Sequence, residues 1–270
     1  AERLSKQALQ VPPNDPAALD ARDGGYDEAP DVETIEVADR AVALADDLDI
    51  APDGRVFFSE ATVRYEMHEW PVDGLESRGN GRIVCYDPKR GTTRTILKNL
   101  KFPNGICMTH GGQSFLFAET WACTVSRYWF DGPKKGTVDT VIADLPGYPD
   151  NINRASDGAF WLALVGIRTP SLDLALKMPG FRRRMARRVA PDEWLFPNIN
   201  TGCLLRFNEE GEILDVMWDR TGVNHPMITS LREHRGHLYI GGILNNRIGK
   251  LKIEGADETW TGPASYWGRP

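Results

Sequence analysis

DNINRASDGAFWLAL, residues 150–164, is one of three stretches cut to a common pattern; the others are DDLDIAPDGRVFFSE at 46–60 and NGICMTHGGQSFLFAE at 104–119. Each opens on an oxygen-bearing side chain (Asp46, Asn104 or Asp150), runs through a short apolar strand, turns on Gly54, Gly112 or Gly158, and enters a second strand. A fourth stretch, ITSLREHRGHLYIGG at 228–242, keeps both strands and turns on Gly236, but has Ile228 and Thr229 at the polar position. Strand-rich repeats of this size predict blades set around an axis rather than a sandwich. Spacings of 58, 46 and 78 residues between the turn glycines are uneven, and insertions between strands account for that.

Working outward, the first blade runs from Asp46 through GRIVCYDP (81–88) to TRTILKNL (93–100), and the second packs four strands into the stretch that follows. The third opens at YPDNINRA, breaks off after AFWLALVG, and resumes at 202–219; the fourth comprises MITSLREH, HLYIGGI and RIGKLKI. Aromatic and β-branched residues crowd these runs, as in SFLFAETW (114–121), which suits residues packed between sheets. Residues 1–41 hold several Pro and Gly among acidic and small residues. They read as an extended arm with a short helix at 2–10 and one strand at 32–37, ahead of a propeller domain at 42–270.

The interruption at 167–201 is the least blade-like part. SLDLALKM (171–178) and FRRRMARRV (181–189) have helical patterns parted by Pro179-Gly180, and the second carries five arginines. Such an insertion either packs Phe181, Met185 and Val189 on a blade edge, lids the channel mouth, docks a partner, or touches an anionic membrane surface through 181–189. With 41% hydrophobic residues and a net charge of -6, the chain builds a core and is not a nucleic-acid binder. Neither a membrane-spanning run nor a leader pattern is visible, and Cys85, Cys107, Cys123 and Cys203 lack paired spacing, which leaves the compartment open.

The runs FPNGICMTHGGQSFLFAETW, LPGYPDNINRASDGAFWLALVGIRTP and REHRGHLYIGG together resemble the strictosidine-synthase-like branch of the six-bladed calcium β-propellers, kin of paraoxonases and gluconolactonases. The likeness covers about residues 42–253. It implies an all-β, six-bladed-type propeller of which about four blades are recognisable here, interrupted by the helical insertion. It also implies an axial metal held by Asp46, where an Asn is usual, by Asn104, and by Asp150 with Asn151. Two departures follow from the same resemblance. The two blades and the early Glu ligand expected ahead of Asp46 have no copy in this sequence, so a partner chain or a second copy is expected to complete the wall. The acid used for amine–aldehyde condensation is replaced by Thr229 and Ser230, so condensation is not expected.

Carboxylate and amide oxygens in an irregular set suit Ca2+ better than zinc, which takes His or Cys. A cation so placed polarises a lactone or ester carbonyl, which makes Asp150 part of the catalytic apparatus as well as a ligand. His225, just ahead of the innermost strand of the last blade, is the expected proton-transfer residue. His68 falls in a loop near the channel, Glu60 and Glu119 hold equivalent structural positions, and His110, His234 and His237 are expected in turns facing solvent. Two functions are thus expected in competition: a calcium-dependent hydrolase of lactones or esters, and a non-catalytic propeller whose structural ion supports binding of a protein or small ligand.

Overall fold

The computed structural model describes residues 42, 44–188, 190, 201–243 and 245–262, so the expected arm and part of the insertion lie outside the described residues. Four antiparallel sheets succeed one another along the chain as blades. The first is β1 (Ala45–Ile50), β2 (Val56–Glu60), β3 (Gly81–Asp87) and β4 (Thr92–Leu100). The second is β5 (Pro103–Met108), β6 (Ser114–Glu119), β7 (Thr124–Trp129) and β8 (Val138–Ile142). The third is β9 (Gly147–Arg154), β10 (Phe160–Ile167), β11 (Gly202–Phe207) and β12 (Ile213–Asp219), and the fourth has three strands, β13 (Ile228–His234), β14 (His237–Gly242) and β15 (Gly249–Lys252). The all-β propeller expectation and the blade boundaries read from the repeats are borne out.

The blades stack because the central strands β6 and β10 are apolar on both faces. Alternation along β6 sends Phe115 and Phe117 into a seam with Phe57, Ile83 and Cys85 of blade one. Leu116 and Ala118 point the other way, into a seam with Ile152, Phe160 and Leu162 of blade three. A third seam joins Trp161, Ala163 and Leu204 to Leu231, Leu238 and Ile240 of blade four. Each fully buried Phe, Leu or Ile contributes roughly 1.5–3 kcal/mol by leaving water. Polar ties fix the register of blade on blade: Trp161 Nε1 donates to the buried Glu233 at 2.8 Å, and His110 Nε2 lies 3.1 Å from the Ala159 carbonyl with its ring on Phe160. His110 was expected in solvent; it is half-buried because it bridges blades two and three. His234 and His237 are also partly buried, closing the β13–β14 hairpin.

The two outward sheet faces, at which a completing partner is expected, differ from one another. Blade four presents Arg232, His234, His237, Tyr239, Lys250 and Lys252, a basic and polar face. Blade one buries Val84 and the ion-paired Glu60 and Arg82 on its outward face.

Helices occupy the connections between second and third strands, all at the end where the inner strands begin. The loop expected around His68 forms a 3-10 turn at Met67–Glu69 that leads into helix α1 (Trp70–Glu76), started by Pro71 in the first turn. Gly74 looks like a helix breaker in sequence, but a Cβ there would stand 2.6 Å from the Trp121 ring that stacks on Trp70. The insertion forms α2 (Pro170–Leu176) and α3 (Pro179–Ala186), and Arg182 donates to the carbonyls of Leu75 and Glu76 at 2.5 and 2.9 Å. Helix α3 is thereby docked on the C-terminus of α1, where the unpaired carbonyls favour a cation.

Candidate cation site at the channel mouth

One backbone irregularity recurs in all four blades at the same place. Between Ala45 and Leu48, three residue steps of β1 oppose two of β2, so Asp46 and Asp47 sit in a β-bulge. The same happens between Pro103 and Ile106 of β5, at Asn104-Gly105, and between Pro149 and Ile152 of β9, at Asp150-Asn151. In blade four the extra residue is Thr229. A bulge re-aims side chains that strict alternation would bury in the seams, and here three bulges turn oxygen donors toward the axis. The signal for this was in the sequence only as polar pairs interrupting apolar strands.

Gly105 brings two of these bulges together. A Cβ on it would lie 2.6 Å from Asn151 Cα, the Asp150 carbonyl oxygen and the Ile152 nitrogen, so only glycine lets β5 lie this close to β9. Asn104 is thereby placed to hydrogen-bond the Asp150 carboxyl, which also accepts from the Asn151 backbone N–H. Thr120, from the turn after β6, links the same strands: it donates to the Pro149 carbonyl at 2.8 Å and lies 3.4 Å from Asn104 Nδ2.

The electrostatics are those of a crowded carboxylate set. Burial holds the Asp150 carboxyl well above the usual range, and the charges of Asp46 and Asp47 raise it further. Asp46 stands on the solvent side of β1, yet enough protein surrounds its carboxyl to push it up to about 6. Asp47 is pushed up to about 7 by burial, partly opposed by the N–H donors of Ile106 and Leu48. The Oδ1 atoms of Asn104 and Asn151 are sealed from solvent without a hydrogen-bond partner. Two orphaned amide oxygens beside buried carboxylates are what a hard cation would satisfy and a zinc ion would not. Among the described residues no three His, Cys, Asp or Glu side chains gather as a metal cluster, so amide oxygens are essential to any such site.

Asp46, Asn104, Asp150 and Asn151 are thus brought to one end of the channel; His225 is not gathered with them. It is buried against Ile240 and Gly249 in the second and third strands of blade four, its backbone N–H donates to Asp219, and its Nε2 has no partner. Desolvation and then the Arg247 charge lower its pKa. Sequence reasoning passed over Asp47, Gly105 and Thr120. Asp47 was visible as half of an Asp-Asp pair, and Gly105 as part of FPNG, but Thr120 becomes relevant only through the fold.

Below the cation site the channel widens into a cavity of about 320 Å3 whose wall includes Asp47, Asp49, Ile106, Ile152, Arg154 and Arg232, drawn from the inner strands of all four blades. Asp49 accepts from Met108 N and from the Arg154 guanidinium at 2.8 and 2.9 Å, which ties blade one to blades two and three.

The class this defines is a β-propeller with an oxygen-lined axial mouth. Residues 46–133 match the family described as strictosidine synthase. The protein STRICTOSIDINE SYNTHASE-LIKE 13 of Arabidopsis thaliana is 37% identical over 218 residues, which cover 80% of this chain and 51% of that protein. Adipocyte plasma membrane-associated protein of Danio rerio is 28% identical over 222 residues, 80% of this chain and 54% of that protein. Among solved structures, a putative gluconolactonase superposes with a TM-score of 0.52 at 13% identity, covering 84% of this chain and 64% of the other. The calcium-binding regucalcin of Agrobacterium tumefaciens gives 0.51 at 14%, covering 81% and 63%. The chain is similar to strictosidine-synthase-like proteins over part of their length, and it shares its propeller fold with the gluconolactonase and regucalcin structures. It spans about half the length of the curated relatives it matches.

Proposed function

We propose that the chain carries the metal site of a calcium-dependent hydrolase of lactones or esters, with Asp46, Asn104, Asp150 and Asn151 as the cation's ligands. The observation that carries this reading is the pair of sealed, unpartnered amide oxygens of Asn104 and Asn151 beside the buried Asp150. Bound there, calcium supplies a Lewis acid that polarises a carbonyl and stabilises negative charge on its oxygen. The chain's own residues do the rest. Asp150 is positioned by Asn104 and by its own following amide; Asp47, displaced by the bulge and lining the channel, has a carboxyl poised near neutrality that suits it to hold or release a proton. Asp47 takes this role in place of His225, whose imidazole packs against Ile240 and Gly249 of blade four. Helices α1 and α3, joined through Arg182, roof part of the same end and restrict water.

The lactone and calcium in the titles of the structural neighbours belong to those proteins and guide the choice of probes. The test is hydrolysis of an aryl-ester and lactone panel with calcium added and then removed by chelator. Turnover should appear with calcium, vanish with chelator, and be lost in Asp150→Ala while the fold survives. Calcium bound without turnover on any substrate refutes the hydrolase and leaves the second reading, a non-catalytic propeller with a structural ion, which the packing of His225 against Ile240 and Gly249 of blade four favours.

A further inference from the structure

The cavity below the cation site has a charge balance of its own. Of its four charged groups, Asp49 is neutralised by Arg154 and by the Met108 N–H. Each oxygen of Asp47 accepts one backbone N–H, Oδ2 from Ile106 and Oδ1 from Leu48, so its carboxyl has local partners of its own. That leaves Arg232. It projects from the outward side of β13 into the cavity wall, and among the described residues no carboxylate pairs with it. Arg232 is exposed, and the returning C-terminal segment lies directly against its guanidinium: a Cβ on Gly262 would stand 2.7 Å from Nη2. The same segment contributes Trp260 and Thr261 to the wall, fixed by hydrogen bonds from Arg235 N to the Trp260 carbonyl at 2.7 Å and between His234 Nδ1 and the Thr261 carbonyl at 3.3 Å. The rest of the wall is mixed: Leu48, Ile106, Cys107 and Ile152 are apolar, and Asn153 is polar. Leu48, at 57% exposure, has nothing across from it that excludes water.

A planar cation without a carboxylate partner among the described residues, at the edge of a small cavity with an indole and several aliphatic side chains in its mixed wall, matches one ligand chemistry, an organic carboxylate with a compact apolar body. We propose that the lower channel is a second binding site for such a carboxylate, anchored by Arg232 and walled by Trp260, Leu48, Ile106 and Ile152, separate from the cation site above it. Arginine's two parallel donors suit a carboxylate, and removing the charge-assisted pair weakens binding by about ten- to a hundredfold.

The experiment is calorimetric titration of the described chain with benzoate and, in parallel, with neutral benzamide. Benzoate should bind saturably with a Kd of roughly 1 mM or tighter, benzamide at least about tenfold more weakly, and chelator should leave benzoate binding unchanged. Arg232→Gln, checked for an unaltered melting temperature, should lose benzoate binding about tenfold or more, and Arg232→Lys should recover part of it. Leu48→Trp, which fills the channel from an exposed position and leaves Arg232 intact, should block binding as well. Equal affinity for benzamide, full binding by either the Arg232→Gln or the Leu48→Trp variant, or no saturable benzoate binding would overturn the proposal. Loss of benzoate binding on chelation would move the carboxylate to the cation site and overturn it equally. Hydrolase activity enters none of these readouts, so this site stands or falls apart from the proposed function.

Discussion

Replacing Gly105 by alanine tests whether close approach of two inner strands assembles the cation site. The new Cβ would meet three backbone atoms of Asp150, Asn151 and Ile152 at 2.6 Å, where ordinary contacts between such atoms are about 3.5–4 Å. None of the three is a flexible side-chain end, so β5 and β9 have to separate by roughly 1 Å. Forcing a methyl into a packed interior costs about 1–3 kcal/mol, and the seam between blades two and three is of that kind. For a domain of this size each kcal/mol lowers Tm by about 2–4 °C, so a drop of roughly 2–12 °C is expected. The same displacement carries Asn104 away from Asp150 and Asn151, so calcium affinity should fall by at least about tenfold, read by titration calorimetry on the folded protein. Gly111→Ala is the control, since a Cβ there meets nothing within 4 Å. A Gly105→Ala protein that keeps both its Tm and its calcium affinity would refute the reasoning.

Other expectations concern charge and helix docking. Asp150→Asn should raise the Tm of metal-free protein, because a fully buried carboxyl is removed, yet abolish any Tm rise on adding calcium; a calcium response that survives counts against Asp150 as a ligand. Asp46 and Asp47 have folded pKa values above 3.8, at about 6 and about 7, so the folded state holds their protons more tightly. Their contribution is therefore most favourable below about pH 4, and metal-free stability should fall as pH climbs through 6 to 7. The Asp47 shift alone amounts to about 4 kcal/mol, cut to roughly 2 kcal/mol by solvent screening. Tm measured from pH 5 to 8 should show this decline, flattened in Asp46→Asn/Asp47→Asn; an unchanged slope in the double variant sinks the assignment. Arg182→Ala removes two hydrogen bonds to helix carbonyls and should speed hydrogen exchange in 170–186 with less than about 1 kcal/mol change in overall stability. Trp161→Phe leaves a buried Glu233 oxygen without its indole donor and should cost about 1–3 kcal/mol by denaturant unfolding.

The strand boundaries were legible because inner-blade strands have short-range causes. Apolar runs such as Phe115–Ala118 and Phe160–Val165 need only their own alternation and a glycine turn to read as central strands. Helix α1 was not legible. Gly74 and Pro71 look like breakers, and only the Trp70–Trp121 stack, made by residues about fifty positions apart, shows why a glycine is required there. His110 went astray for the same reason, since its partner Ala159 belongs to another blade.

By itself, the sequence determined that strand-turn-strand units repeat and that polar oxygens open three of them, because both are properties of local pattern. Which oxygens meet was decided only in three dimensions. The bulges turn Asp46, Asp47, Asn104, Asp150 and Asn151 out of strict alternation, and the missing Cβ of Gly105 draws two blades together. The burial that lifts the Asp150 carboxyl and seals the two amide oxygens exists only once separate blades close around one axis. The same closure packs His225 against Ile240 and Gly249 of blade four, contacts that its place in the chain did not reveal.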